Sequence, residues 1–149
     1  MRILMVCLGN ICRSPLAEGI LKLKVRQNNL DWKVDSAGTS GWHEGDLPDK
    51  RSIEIAAKNG LDITDQRSRK FVRADFEDFD LILAMDSSNY QNILALAQNE
   101  SDKDKVKLIL NYAYPDQNRA VPDPYYDNGF PRVYTMLEKA CQDIVQTYV

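Results

Sequence analysis

Apolar residues along this chain follow two rhythms, and the rhythms alternate. Ile3-Leu4-Met5-Val6 is an unbroken apolar run leading into Cys7, so residues 2–7 read as a buried strand. Over 15–28 the spacing changes, and Leu16, Ala17, Ile20, Leu21 and Val25 recur on one helical face. Ser14 is placed to cap that helix, with Pro15 at its first position, where a missing N–H costs nothing. Residues 32–37 predict a second strand, and 49–59 a helix closed by Gly60, which suits a left-handed C-terminus. The stretch 79–85 (FDLILAM) is apolar enough for a central strand covered on both faces of a parallel sheet. A third helix is predicted over 87–98, capped by Ser87 or Ser88, and a fourth strand over 106–110. The last helix covers about 130–147, with Val133, Leu137, Ala140, Cys141, Ile144 and Tyr148 in helical register.

Strands alternating with helices predict a single α/β domain over residues 1–149. The expected architecture has three layers: a four-stranded parallel sheet of order 2-1-3-4 with helices on both faces, as in flavodoxin-like folds. No internal repeat, low-complexity tract or linker breaks the pattern. Ligands in such sheets bind beyond the carboxyl ends of the strands. Those positions fall in segments 7–14, 38–48, 86–89 and 111–129, which also hold the unusual chemistry.

The first of these segments reads CLGNICRSP, from Cys7 to Pro15. A strand that ends in a cysteine, turns through Leu8, Gly9, Asn10, Ile11 and Cys12, and enters a helix at Ser14 makes an anion cradle. Loop N–H groups converge on one point, the helix N-terminus adds positive potential, and Arg13 supplies a two-pronged guanidinium. A field that holds phosphate also favours the thiolate of Cys7, a nucleophile aimed at phosphorus. The alternative is an ordinary buried strand cysteine, the commoner fate of cysteines. That reading leaves Arg13 and the Asn10 turn without a purpose. The segment is not a nucleotide P-loop, since GxxxxGK[ST] is absent.

Composition narrows the partners. The 149 residues are 44% hydrophobic and 28% charged with net charge −3, which argues against nucleic acid or an anionic membrane. The apolar run after Arg2 is too brief for a signal-peptide core or a membrane span, so a cytoplasmic location is expected. Cys7, Cys12 and Cys141 form no CxxC pair, and His43 is the only histidine. Neither a metal nor another cofactor is expected.

CLGNICRSP near the start and DPYY late in the chain resemble the low-molecular-weight protein tyrosine phosphatase family. VDSAGTS at 34–40, DFEDFDLILAMD at 75–86 and VPDPYY at 121–126 extend the resemblance over nearly the whole chain. It implies hydrolysis of phosphotyrosine through a phosphocysteine, with Cys7 as nucleophile, Arg13 as phosphate clamp and Ser14 as hydroxyl donor to the sulfur. It makes Asp123 the general acid; the residues alone rate Asp123 little above Asp86, Asp116 or Asp127. Asn10 would hold the loop in its strained shape, a conformation asparagine tolerates. Cys12 would be the redox partner that shields Cys7 from over-oxidation. Phosphotyrosine proteins are then the substrates, inorganic phosphate both product and inhibitor, and a monomer or weak dimer the solution state.

Physical argument supports each role. Pro122 and Pro124 stiffen the backbone that presents Asp123. Trp42, Tyr125 and Tyr126 come from two loops beside the cradle, and walls of that kind accept a planar ring and create depth. His43 reads as a solvated loop residue with a secondary part in substrate choice, and Cys141 as an inert core residue. Two positions depart from the family pattern. Gln66 stands where a histidine is more usual and is expected to donate to Asn10. Asp127 stands where a glycine is more usual and is expected to alter loop mobility.

Two rivals remain. A thiol-dependent arsenate reductase shares the cradle, but it needs relay cysteines after the third strand, and 80–100 contains none. A catalytically idle phosphate reader is the other, against which an intact Cys7, Arg13, Ser14 and Asp123 speak.

Overall fold

The computed structural model describes residues 1–149. Its elements are β1 (Arg2–Cys7), α1 (Arg13–Gln27), β2 (Lys33–Gly38), α2 (Lys50–Lys58), α3 (Asp75–Asp78), β3 (Leu81–Ala84), α4 (Ser87–Leu94), α5 (Glu100–Asp104), β4 (Val106–Leu108), a 3₁₀ turn (Ile109–Asn111) and α6 (Phe130–Tyr148). The four strands form one sheet of order β2-β1-β3-β4. Every pairing is parallel, with Met5 opposite Ser36 on one side and Leu83 on the other.

The apolar runs are long because both sheet faces are covered. Ile3, Met5 and Cys7 of β1 join one core with Leu16, Ile20 and Leu21 of α1 and Leu137, Ala140 and Ile144 of α6. Leu4 and Val6, one residue out of phase, join a second core with Phe71, Phe76, Ile82 and Ile93. Alternation along the pleat thus splits one run between two layers. No helix is long and apolar enough to cross a membrane.

Most boundaries lie within a residue or two of the spacing argument, and the exceptions have causes. The helix expected over 87–98 stops at Leu94, and α5 follows it. Asn99 starts that new helix by accepting from the Asp102 N–H at 2.8 Å. The strand expected over 106–110 stops at Leu108, where the chain turns into the 3₁₀ segment. Ahead of β3, Phe79 belongs to the end of α3, its N–H bonded to the Asp75 carbonyl. The cap of α4 is Asp86, whose carboxylate accepts from the Asn89 N–H at 2.8 Å, and neither Ser87 nor Ser88 does this.

Ser14 also departs from expectation. Helix α1 begins at Arg13, with Cys12 at the cap position and no side-chain capping bond. Ser14 is already inside the first turn, so its hydroxyl is released for another partner. Pro15 sits in that same turn, where no intrahelical N–H partner is needed.

Candidate active site

The cradle hangs between the end of β1 and the start of α1. Its carbonyls are tied outward: Thr39 N–H donates to Cys7, Ser40 N–H to Leu8, the Ser68 hydroxyl to Gly9, Asp49 N–H to Ile11 and the Ser52 hydroxyl to Cys12. With the carbonyls engaged outside, the loop's amide N–H groups are the polar atoms left to face an anion. Gly38 makes the close approach possible. A Cβ there would lie 2.8 Å from the Leu8 carbonyl oxygen and 3.1 Å from the Asn10 nitrogen.

Cys7 is 2% exposed, at the floor of this loop. Its sulfur accepts from the Asn10 N–H at 3.2 Å and lies 3.0 Å from the Ser14 hydroxyl. Asn10 Nδ2 donates to the same hydroxyl oxygen at 2.8 Å, which leaves the one hydroxyl hydrogen to point at the sulfur. Asn10 has φ 56°, the left-handed region. Its amide holds that shape by donating to the Ser36 hydroxyl at 3.0 Å and accepting from the Arg69 N–H at 3.0 Å. Ser36 donates onward to Glu18 at 2.7 Å, and Lys22 donates to the other Glu18 oxygen at 2.6 Å. Burial of Glu18 favours its neutral form, and the Lys22 and Ser36 bonds only partly offset this, so its carboxyl stays above the usual range.

Arg13 closes one side. Its side chain is 3% exposed, and Nη1 donates to Asp86 at 2.7 Å and to the Val121 carbonyl at 3.0 Å. Nη2 stands 3.8 Å from an Asp123 oxygen. Burial opposes the guanidinium charge, but Cys7, Asp86 and Asp123 overcome it and hold the group above the ordinary arginine range. Asp86 and Val121 orient the planar fork from behind. Sequence reasoning considered Asp86 only as a rival acid, and its tie to Arg13 spans 73 residues.

These groups open into a cleft of about 250 Å³ that brings together Cys7, Leu8, Gly9, Ile11, Cys12, Arg13, Ser40, Trp42, His43, Asp123, Tyr125 and Tyr126. Trp42 is 87% exposed and Tyr126 is 88% exposed, so both stand free at the mouth. The Asp123 carboxylate accepts from the Tyr125 N–H at 3.0 Å through Oδ1, and Oδ2 is the oxygen that stands near Arg13.

The low molecular weight phosphotyrosine protein phosphatase profile matches residues 2–148. A Synechocystis protein carrying the same family name is 48% identical over 149 residues, covering 97% of this chain and 94% of its own. The chain belongs to this phosphatase family. Among solved structures, a protein tyrosine phosphatase from Entamoeba histolytica aligns over 99% of this chain and 96% of its own, with 38% identity and a TM-score of 0.92. A Drosophila arginine phosphatase aligns over 99% of this chain and 98% of its own, with 37% identity and a TM-score of 0.92.

One second-layer expectation for this phosphatase fails. Gln66 does not reach Asn10; its Nε2 donates to the Pro15 carbonyl at 3.1 Å. The Asn10 side-chain N–H groups bond Ser14 and Ser36, and its oxygen accepts from the Arg69 backbone instead of from Gln66. His43 lines the cleft and pairs with Asp46 at 3.2 Å on the solvent side. Cys12 lies in the cradle, where burial first, then the Asp49, Cys7 and Asp123 charges, push its thiol up to about 12. Cys141 is fully buried on α6, and burial pushes its thiol up to about 12 as well. Asp127 bonds the Gly129 N–H at 2.9 Å, in the loop before α6.

Proposed function

We propose that this phosphatase hydrolyses phosphotyrosine in proteins through a phosphocysteine on Cys7. The observation that carries the reading is a single one. A buried sulfur receives hydrogen bonds from Asn10 and Ser14 at the floor of an amide cradle whose rim holds Arg13 and Asp123.

In the first step the Cys7 thiolate attacks phosphorus while cradle amides and Arg13 balance charge on the three equatorial oxygens. Asp123 gives its proton to the departing phenolate oxygen as the P–O bond breaks. In the second step the same carboxylate takes a proton from water, and water displaces the sulfur. Ser14 donates to the leaving thiolate, which returns to its starting state, and inorganic phosphate departs. Free phosphate fits the same cradle and is an inhibitor for that reason.

Trp42, Tyr125 and Tyr126 support the choice of an aryl ester. A phosphoserine is too short to reach the floor and still pack between them, whereas a phenyl ring gains burial and offset stacking. Replacing Trp42 and Tyr125 together by Ala is expected to lower kcat/KM for aryl phosphates by about one to two orders of magnitude, at about 1.4 kcal/mol per decade. Inhibition by inorganic phosphate should hardly change. Retention of the full aryl preference would make the aromatic walls irrelevant to selectivity.

The assay that tests the whole reading compares an aryl phosphate, an alkyl phosphate and phosphoarginine at equal enzyme concentration. Phosphoarginine is included because a Drosophila relative is described as an arginine phosphatase. A higher kcat/KM on phosphoarginine than on the aryl ester would overturn the substrate class and leave the thiolate chemistry in place.

Cys12 acts as a protecting partner within this reading. Peroxide converts the Cys7 thiolate to a sulfenic acid, and the Cys12 thiol displaces water from it to form a disulfide that dithiols reduce. Cys12→Ser is expected to turn over normally in reducing buffer and to be inactivated irreversibly by peroxide. Full recovery of that variant with dithiothreitol would remove Cys12 from this role.

A further inference from the structure

Arg51 lies outside the cleft and touches both halves of it. On one side, the first turn of α2 is fastened to the cradle: Asp49 N–H donates to the Ile11 carbonyl at 2.7 Å, and the Ser52 hydroxyl to the Cys12 carbonyl at 3.2 Å. The Asp49 carboxylate caps that turn and grips the Arg51 guanidinium at Nε (3.0 Å) and Nη2 (3.1 Å). On the other side, Nη1 of the same guanidinium donates to the Tyr125 carbonyl at 2.9 Å and to Asn128 Oδ1 at 2.7 Å. The guanidinium carbon also lies 5.2 Å from the Tyr125 ring centre and 4.8 Å from that of Phe130.

Residues 122–128 have no regular structure to stiffen them. Their other hydrogen bonds are internal or to Gly129: Tyr125 N–H to Asp123, Asn128 N–H to the Pro124 carbonyl, and Gly129 N–H to Asp127. The two bonds from Arg51 are the only hydrogen bonds this segment receives from the rest of the molecule. They fall on Tyr125, the residue whose N–H orients the Asp123 carboxylate. A relay therefore runs from the cradle through Asp49, Arg51 and Tyr125 to Asp123. Its centre must be an arginine, because only a planar fork bonds a carboxylate along one edge, bridges two oxygens from Nη1 and stacks on two rings.

We propose that Arg51 is the positioning residue for the acid, setting the height of Asp123 above the Cys7 cradle. The proposal rests on the reading of Asp123 as the proton donor. A group that positions an acid matters in proportion to how much the leaving group needs a proton. That property separates it from a residue that merely supports the fold.

The experiment measures kcat/KM over aryl phosphates from phenyl (a poor leaving group) to p-nitrophenyl (an activated one), for wild type, Arg51→Gln, Arg51→Lys, Asp123→Asn and the Arg51→Gln/Asp123→Asn double variant. Both Arg51 variants are expected to lose about 10-fold or more on phenyl phosphate and under about threefold on p-nitrophenyl phosphate, as for a displaced acid. The double variant should lose no more than Asp123→Asn alone, since an acid that is gone cannot be misplaced. Arg51→Lys keeps the positive charge and gives the same readout if Arg51→Gln is too unstable to assay. Equal losses across the leaving groups, or losses that add to those of Asp123→Asn, would overturn the positioning role and leave Asp123 as the acid. A flat leaving-group profile in Asp123→Asn itself would overturn the acid assignment and this proposal with it.

Discussion

Cys7→Ser is expected to remove essentially all turnover, a loss of about 10⁴-fold or more, because a serine hydroxyl is a far weaker nucleophile toward phosphorus than a cysteine sulfur. The substitution removes no carbon and keeps a hydrogen-bonding atom beside Ser14 and Asn10, which stand 3.0 and 3.2 Å from the sulfur. The cradle amides and Arg13 are untouched. Inorganic phosphate should therefore still raise the melting temperature of the variant, since a ligand that binds only the folded state stabilises it. Loss of activity together with retained phosphate stabilisation separates the nucleophile from the binding site. Residual activity within tenfold of wild type would mean that another group attacks phosphorus. Iodoacetate supplies a second check. Cys7 should react first and be protected by phosphate, whereas burial keeps Cys12 and Cys141 as slow, protonated thiols.

Asp123→Asn carries the second large effect. Asparagine keeps the shape and the bond from the Tyr125 N–H, which lies 3.0 Å from the carboxylate, but has no proton to give. For a phenolic leaving group, kcat/KM should fall about 10²–10⁴-fold, the usual contribution of a general acid. For p-nitrophenyl phosphate, which leaves without help, the fall should be much smaller. The second step should suffer with either substrate, because the carboxylate that draws a proton from water is gone. Rapid mixing of the variant with p-nitrophenyl phosphate should then show a burst of phenolate near one equivalent, as phosphocysteine accumulates. A uniform loss across leaving groups, with no burst, would move the acid to another carboxylate. Asp86 is the first to test, although its 2.7 Å bond to Arg13 already assigns it to orienting the clamp.

The parts of this site that could be read from the chain are those in which neighbours in sequence do the work. Cys7 and Arg13 flank a loop that holds Gly9 and Asn10 between a strand and a helix, and that context, more than the spacing, implies a cradle. Trp42, Tyr125 and Tyr126 follow strand ends, so the parallel topology alone places them near it. Spacing argued poorly wherever a polar side chain had several partners to choose from. Ser14 fits a cap by position, yet its hydroxyl turns to Cys7 and Asn10 and leaves the cap without a side-chain bond. Gln66 fits a donor to Asn10 by family pattern, yet Ser36 and the Arg69 backbone occupy Asn10 instead. Arg51 gave no signal at all, since a solvent-facing arginine on a short helix is ordinary in composition.

The amino-acid sequence by itself determined the layers and the strand order, and it pointed to the cysteine-and-arginine loop at the floor of the cleft. Each follows from short-range facts: apolar periodicity, a parallel sheet's need for cover on both faces, and the fixed geometry of a strand-loop-helix turn. Only the tertiary structure decided which polar groups pair around that floor. The distant partners of Asn10 lie 26 and 59 residues away, those of Arg13 lie 73 and 108 away, and those of Arg51 lie 74 and 77 away. A hydrogen bond requires atoms within about 3 Å and a donor aimed at its acceptor. Residue type and spacing do not set that geometry across separate elements; it exists only once the sheet and helices have packed.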